Sequence, residues 1–320
     1  MNCAPYIKIS ETNEFKIYLY PKNYLELFLD ELFYKKSIGI TDDFTFKMSD
    51  NGYIIDKFNN ESDVDFEYLR EAQISVYWIS EWYPYIKDKK ITFDTKFLHL
   101  TDNDIEDLWN FKMLNYIPEK IICDADKIIN KMNGLCFVRS DAYSPKDLLF
   151  SGCVDNLKVT NGLTAIKLIV NSERCCTKLF SNDKILSRCI VFREYIEIDT
   201  NYEFRCFVYD WRLRAVCQSG FEYNPDLHSK RKLIYHSIIK FWDEFSRMCP
   251  YSECTMDIIY NDKLKDVTLN NSGIMIIEFN SFGEHMNASS GLYDWIHDDN
   301  LLTESTTPHF LLAEKPICCI

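Results

Sequence analysis

Three stretches of this chain carry residue types that can act together on a charged ligand. In Ile276-Ile277-Glu278-Phe279-Asn280, a strand would turn Glu278 and Asn280 to one face and Ile277 and Phe279 to the other. A carboxylate and an amide oxygen one strand-step apart form a hard-oxygen pair of the kind magnesium accepts. That ion takes one or two carboxylates and completes its shell with water and phosphate oxygens. Asp257 adds a lone carboxylate inside the apolar run Thr255-Met256-Asp257-Ile258-Ile259, where burial is costly without a partner. Asp257, Glu278 and Asn280 are therefore the candidate metal ligands. Each alone has a plainer reading, as a polar strand end before Gly283 or an aspartate facing water.

The second stretch runs from Val191-Phe192-Arg193-Glu194-Tyr195-Ile196 into Tyr202-Glu203-Phe204-Arg205-Cys206-Phe207-Val208. Strand alternation sets Glu203 and Arg205 on one face and Tyr202, Phe204, Cys206 and Val208 on the other. An arginine there can grip phosphate oxygens in a planar fork, while the glutamate holds the arginine or a ribose hydroxyl. A surface ion pair of little energetic consequence is the alternative. The third stretch is Phe137-Val138-Arg139-Ser140-Asp141-Ala142-Tyr143-Ser144-Pro145-Lys146-Asp147. Its Arg139 and Lys146 flank a loop from which both can reach a polyphosphate.

The elements that must position these residues follow from periodicity. Alternating or short apolar runs predict strands over 135–138, 163–170, 189–195, 202–209, 213–217, 254–260 and 274–279, and one over 15–20. The three residues 210–212 suit a hairpin loop. Apolar residues at helical spacing predict a helix over 22–36 and a long one over 226–249. Asp102 is positioned to cap a helix carrying Ile105, Leu108, Trp109 and Met113. The acidic stretch 59–67 reads as a linker, and Asn261 to Ser272 as a polar insert. Strands followed by a helix and further strands predict an α+β fold with antiparallel sheets. No glycine-rich phosphate loop is present.

The 320 residues are 47% apolar, enough for a sizeable core, and the formal net charge is −13. That charge argues against nucleic acid as a partner, because short clusters such as Lys87 to Lys90 and Lys230 to Lys232 are small against it. No apolar stretch approaches the ~18 residues of a membrane span. The start lacks the basic-then-apolar pattern of a signal peptide. The 13 cysteines are scattered with no Cys-x-x-Cys pair, which predicts reduced thiols in a cytoplasmic or nuclear setting rather than zinc. The six histidines show no metal-ligand spacing.

In this order the pieces resemble the cell-division-cycle-123 family. Glu81-Trp82-Tyr83-Pro84 through Lys90-Ile91-Thr92-Phe93 looks like that family's Trp-Tyr-Pro element and the strand after it. Arg139 to Asp147 looks like its Lys-x-x-x-x-Ser/Ala-Pro-Lys/Arg-Asp loop, and Glu203 to Val208 matches its Glu-Phe-Arg-Cys-Phe-Val strand. Asp257 with Glu278-Phe279-Asn280 is similar to its metal-binding Asp and Asp-Phe-Asn. The resemblance implies an ATP-grasp-like fold with ATP between two β-rich lobes. Its divisions would be a divergent extension over 1–70, lobes over 71–185 and 186–310, and a tail over 311–320. It implies that Arg139 and Lys146 contact phosphates, that Arg193, Glu194, Tyr195 and Ile196 form the adenine-side hinge, and that Glu203 and Arg205 contact ribose and phosphate. Asp257, Glu278 and Asn280 would hold Mg2+. The implied partner is the gamma subunit of eukaryotic translation initiation factor 2, whose heterotrimer the family helps to assemble.

The chain departs from the family at particular positions. Arg139 stands for the loop lysine, Ser219 for a phosphate-side arginine, and Glu278 for the metal-binding aspartate. The insert at 261–273 and residues 1–70 are its own. Glu278 restores the Glu-x-Asn pattern of catalytic ATP-grasp ligases. An ATP-dependent ligase activating a carboxylate or phosphate, RNA ends included, is therefore the alternative to an assembly chaperone. A degenerate nucleotide binder kept for interaction alone is the third reading.

Overall fold

The computed structural model describes four short strands near the N-terminus and residues 71–315, apart from 72, 89, 181–186 and 287. The short strands, β1 (Tyr6–Ile9), β2 (Phe15–Tyr18), β3 (Phe46–Ser49) and β4 (Gly52–Ile55), form an antiparallel sheet in the order β1-β2-β4-β3. The helix expected over 22–36 and the linker over 59–67 lie outside the described residues.

Two further sheets carry the rest. One has the order β5-β8-β6-β7, with β5 Thr95–His99, β6 Cys136–Ser140, β7 Lys158–Val159 and β8 Cys189–Glu194, all antiparallel. The other has the order β12-β11-β9-β10-β13, with β9 Glu203–Tyr209, β10 Arg212–Gln218, β11 Cys254–Tyr260, β12 Ile274–Asn280 and β13 His309–Leu311. Only the β10–β13 pairing in that sheet is parallel. This is the expected α+β arrangement of two β-rich lobes. Because β8 pairs with β5 and β6, the first of these sheets extends to residue 194, past the division expected at 185/186.

Helices pack against both sheets. The long helix α7 (Pro225–Phe245) starts with Asn224 as its N-cap and proline at its first position, as such ends favour. Its Ile234, Ile238, Phe241 and Phe245 pack with Phe204, Cys206, Val208, Met256 and Ile258 of the five-stranded sheet. Helix α1 (Ile79–Ile86) joins that core through Trp82, which meets Phe279 edge-on at 5.3 Å. The four-stranded sheet packs against α2 (Asp102–Leu114), α3 (Glu119–Lys131), α5 (Gly162–Asn171) and α6 (Glu173–Leu179). Between β6 and β7 lies α4 (Lys146–Phe150), and α8 (Asp299–Glu304) packs near β10 through Leu302.

Three local expectations need correction. The run 163–170 is helical, not a strand. Asn161 caps it by accepting from the Thr164 amide, and Ala165, Ile166, Ile169 and Val170 are all buried. A short apolar run buried on most sides has no period that separates strand from helix. The cap of α2 is Thr101, not Asp102: Thr101 Oγ1 accepts from the Asp104 amide while Asp104 Oδ2 accepts from the Thr101 amide, a reciprocal capping box. The hairpin between β9 and β10 has two loop residues, Asp210 and Trp211, both at positive φ (51° and 59°), as a tight primed turn requires.

Candidate functional site

The site begins with the ladder of the five-stranded sheet. Asp257 lies opposite Arg205 on β9 and opposite Glu278 on β12, and Thr255 lies opposite Asn280. Directly paired residues share a face, so Arg205, Asp257, Glu278 and Asn280 project together, with Glu203 two residues before Arg205. Phe204, Cys206 and Val208 turn instead into the core, as alternation predicts.

Strand β12 breaks that alternation once. Asp257 pairs with Glu278 but Ile258 pairs with Ile276, so Ile277 is the extra residue of a β-bulge. The bulge lets Ile276 join the core beneath α7 while Glu278 stays on the site face. Ile277, expected on the same face as Phe279, instead packs with Phe93, Ile259 and Met275. Its carbonyl is turned out of the ladder and accepts from Arg193.

The side chains on this face are tied to one another. Arg205 grips Asp257 in a fork, Nε to Oδ1 at 2.8 Å and Nη2 to Oδ2 at 2.7 Å, and its Nη1 donates to the Ser289 carbonyl at 2.9 Å. Burial disfavours the Arg205 charge, but Asp257 more than offsets it and the guanidinium is held above its usual value. Asn280 donates through Nδ2 to Asp257 Oδ2 at 3.3 Å, which leaves its amide oxygen as the acceptor.

Cations from the four-stranded sheet face these oxygens. Arg139, at the end of β6 and only 4% exposed, donates through Nη1 to Glu278. It is steadied by its own loop, Nε to the Ser140 carbonyl at 3.1 Å and Nη2 to the Ala142 carbonyl at 3.0 Å. Lys146, at the start of α4, stands 3.8 Å from Glu203. Burial pushes the Glu278 carboxyl up, but Arg139, Lys146 and Arg205 outweigh it and hold it well below the usual range. Glu203 goes the other way: burial raises it, Lys146 only partly offsets that, and Asp257 and Glu278 add to the rise.

The hinge candidates are placed differently from one another. Arg193, at the end of β8, is buried and spans the two sheets, with Nη1 on the Ile277 carbonyl at 2.5 Å and Nη2 on Thr92 Oγ1 at 2.9 Å. The rings of Phe93 and Trp82 lie 4.8 and 5.9 Å from its guanidinium carbon. Burial, then the Arg139 charge, disfavour its ionised form. Glu194 is exposed, and its amide donates to the Asp94 carbonyl at 2.8 Å. Tyr195 lies under Lys158, and Ile196 packs beside Phe93. These residues form the crossing from one sheet to the other.

Other residues that shape the site carried no advance signal. Thr92 bridges to β12, its Oγ1 donating to the Ile276 carbonyl at 2.8 Å, so it both supports the bulge and receives Arg193. Asp141 is buried behind Arg139 and accepts from the Ser80 amide at 2.8 Å and hydroxyl at 2.5 Å, fixing α1 to the Arg139 loop. Thr92, Ser80 and Asp141 are ordinary types whose role depends on partners 61 to 184 residues away. Ser219 lies next to Glu203, its amide donating to the Glu203 carbonyl at 2.9 Å, and its buried hydroxyl has no partner among the described residues.

The donor set fits magnesium. Two carboxylates and an amide oxygen share one face, and cations able to bind phosphate lie across from them. Among the described residues no group of three or more His, Cys, Asp or Glu is arranged to hold a metal ion, so an ion here would draw part of its shell from phosphate and water. Nor is any described helix long and apolar enough to cross a membrane.

Comparison with known proteins places this geometry in a lineage. The chain is 65% identical to a CDC123-like protein of Acanthamoeba polyphaga mimivirus over 99% of both chains. It is 28% identical to the translation initiation factor eIF2 assembly protein of Xenopus laevis, over 53% of this chain and 51% of that one. The counterpart of that name in Dictyostelium discoideum is 28% identical over 37% of this chain and 33% of its own length. Thus the chain spans about half or less of these two relatives. The structure of Cdc123 from Schizosaccharomyces pombe superposes with a TM-score of 0.63 at 22% identity, covering 75% of this chain and 96% of that one, which establishes a shared fold. The D123 family profile matches residues 67–315, so this chain belongs to the D123 (Cdc123) family.

Proposed function

We propose that the chain binds ATP with Mg2+ between its two β-rich sheets and acts as an assembly factor for eukaryotic translation initiation factor 2, in the cytoplasm, by binding its gamma subunit. The observation that carries the nucleotide part is convergence. Four cations (Arg139, Lys146, Arg193, Arg205) and three carboxylates (Glu203, Asp257, Glu278) from separate segments meet at the junction of the two sheets. A polyphosphate with a divalent ion matches that charge pattern, as in ATP-grasp proteins. Asp257, Glu278 and Asn280 would hold the ion, and Arg139, Lys146 and Arg205 the phosphates. Glu203 would take a ribose hydroxyl, and residues 193–196 would line the adenine side. The ion would neutralise phosphate charge there. The assembly role rests on relatives named as eIF2 assembly proteins.

A nucleotide bridging two lobes favours one lobe arrangement and so changes affinity for a partner. Capture of the gamma subunit by this chain should therefore be stronger in ATP–Mg2+ than in chelator. Expression in cells lacking their own family member should restore growth and heterotrimer assembly. Absence of both gamma-subunit binding and rescue would overturn the reading.

One observation favours a second reading, an ATP-dependent ligase: Glu278 and Asn280 stand side by side on the site face in a Glu-x-Asn pattern. Turnover of ATP dependent on a carboxylate or RNA acceptor would promote it over the chaperone.

A further inference from the structure

The cations of the site do not all belong to it in the same way. Arg205 and Asp257 are neighbours in one sheet, joined by two hydrogen bonds, with the third arm of the guanidinium on the Ser289 carbonyl. That pair is part of the ladder. Arg139 and Glu278 come from different sheets, and a single guanidinium nitrogen joins them. The remaining Arg139 bonds go to carbonyls of its own loop, at Ser140 and Ala142. The guanidinium is thus held in place whether or not Glu278 is its partner, and Nη1 alone is open to exchange.

We propose that Arg139 occupies Glu278 in place of a divalent cation in the nucleotide-free protein, and that a polyphosphate releases Glu278 to the metal by taking over Arg139 Nη1. This rests on the nucleotide reading of the site and states the order in which it fills. A divalent ion arriving alone meets a carboxylate already neutralised by a buried arginine. A polyphosphate arriving alone meets the charge of Glu278. When both arrive, each charge exchanges one partner for another, phosphate for Glu278 on the arginine and metal for arginine on the carboxylate. Charge is conserved and no buried ion is left unpaired, the condition a buried pair must meet to be broken at tolerable cost. Lys146, 42% exposed and 3.8 Å from Glu203, is free to follow the phosphate in the same way. The two ligands are therefore positively coupled, each raising affinity for the other.

The probe is Mn2+ alone, followed by electron paramagnetic resonance on the full chain, with and without ATP. Wild type should bind Mn2+ at least tenfold more weakly without ATP than with it. Arg139→Gln should bind Mn2+ alone at least tenfold more tightly than wild type, and Arg139→Gln/Glu278→Gln should lose that gain. Arg139→Lys keeps charge but not the fork and should give a smaller gain, about two- to fivefold. It also serves as the informative variant if Arg139→Gln unfolds. Mn2+ affinity without ATP that is unchanged in every folded Arg139 variant overturns the proposal, as does a gain that survives loss of Glu278. Failure of wild type to bind Mn2+–ATP counts separately against the nucleotide reading, because the comparison with Mn2+ alone does not use ATP.

Discussion

The two sheets meet at the site with opposite charges held by different means. On the five-stranded sheet, Asp257 and Arg205 are fixed by register and joined in a fork, and Asn280 is hydrogen-bonded to them. On the four-stranded sheet, Arg139 and Lys146 sit where a strand ends and a short helix begins. The first arrangement is rigid because moving one member means breaking the ladder. The second depends on a loop held by Asp141 and Ser80, and its bonds to the opposite sheet are single. The difference teaches which half of the site is built to respond to a ligand: the ladder-bound Asp257 and Arg205 stay, and the singly held Arg139 and Lys146 are the ones free to trade partners.

The comparison is broken most severely at its rigid side. Asp257→Ala leaves the half-buried Arg205 without its carboxylate and should cost about 3 kcal/mol of folding stability, the low end of the scale for a half-broken buried pair. Urea denaturation measures it, and a loss below about 1 kcal/mol would show that the ladder does not depend on the fork. Arg205→Ala should weaken ATP–Mg2+ binding by about 2–3 kcal/mol in calorimetry if the arginine meets phosphate in a desolvated site. Wild-type affinity in a folded variant would reduce the pair to a structural one.

Smaller effects sharpen the contrast. Arg193→Met removes one link between the sheets while keeping an apolar stem, and orphans the Ile277 carbonyl. It should cost about 1–3 kcal/mol and speed amide exchange around Thr92. Equal protection in wild type and variant would place the junction's strength elsewhere. Thr101→Ala, remote from the site, should cost about 1 kcal/mol through loss of the α2 cap. Its partner Asp104 supplies a pH test. Burial raises that carboxyl, but bonds from Lys120 and Thr101 outweigh it and keep it below its usual value. A carboxyl depressed in the folded state adds stability that is complete above its unfolded pKa, about 3.9. That stability is lost as pH falls through the lower folded value. The gap between wild type and Asp104→Asn should therefore narrow in acid below about pH 4 and stay constant near neutrality. A gap that widens in acid would reverse the assignment.

The parts legible in the sequence are those governed by local period. The faces of β9 could be read from Glu203 to Val208, and α7 from its apolar repeat, because each pattern has one interpretation. The run 163–170 does not: buried on most sides, it has only Thr164 and Lys167 as polar residues, too few to mark a period, and the decisive Asn161 cap lies outside it. The bulge at Ile277 was equally silent, since an extra residue shows only against the partner strand. The gathering of Arg139, Lys146, Glu203 and Glu278 depends on which sheets face each other. Only the resemblance to a known family anticipated that, and residue types alone left surface ion pairs open. Thr92 and Asp141 were missed because their work is done on partners far along the chain.

The Ile277 bulge has a consequence for how this chain tolerates variation. Arg193 reaches across to a main-chain oxygen rather than to a side chain. No exchange of one amino acid for another at position 277 deletes that oxygen, so the residue there is free to drift among types that fit beside Phe93, Ile259 and Met275. The vulnerable change is in chain length. Losing the extra residue would restore regular pairing with Ile276 still opposite Ile258, and would remove the out-turned carbonyl that Arg193 reaches. Related chains should then differ in the letter at this position far more readily than in the spacing between Ile274 and Asn280.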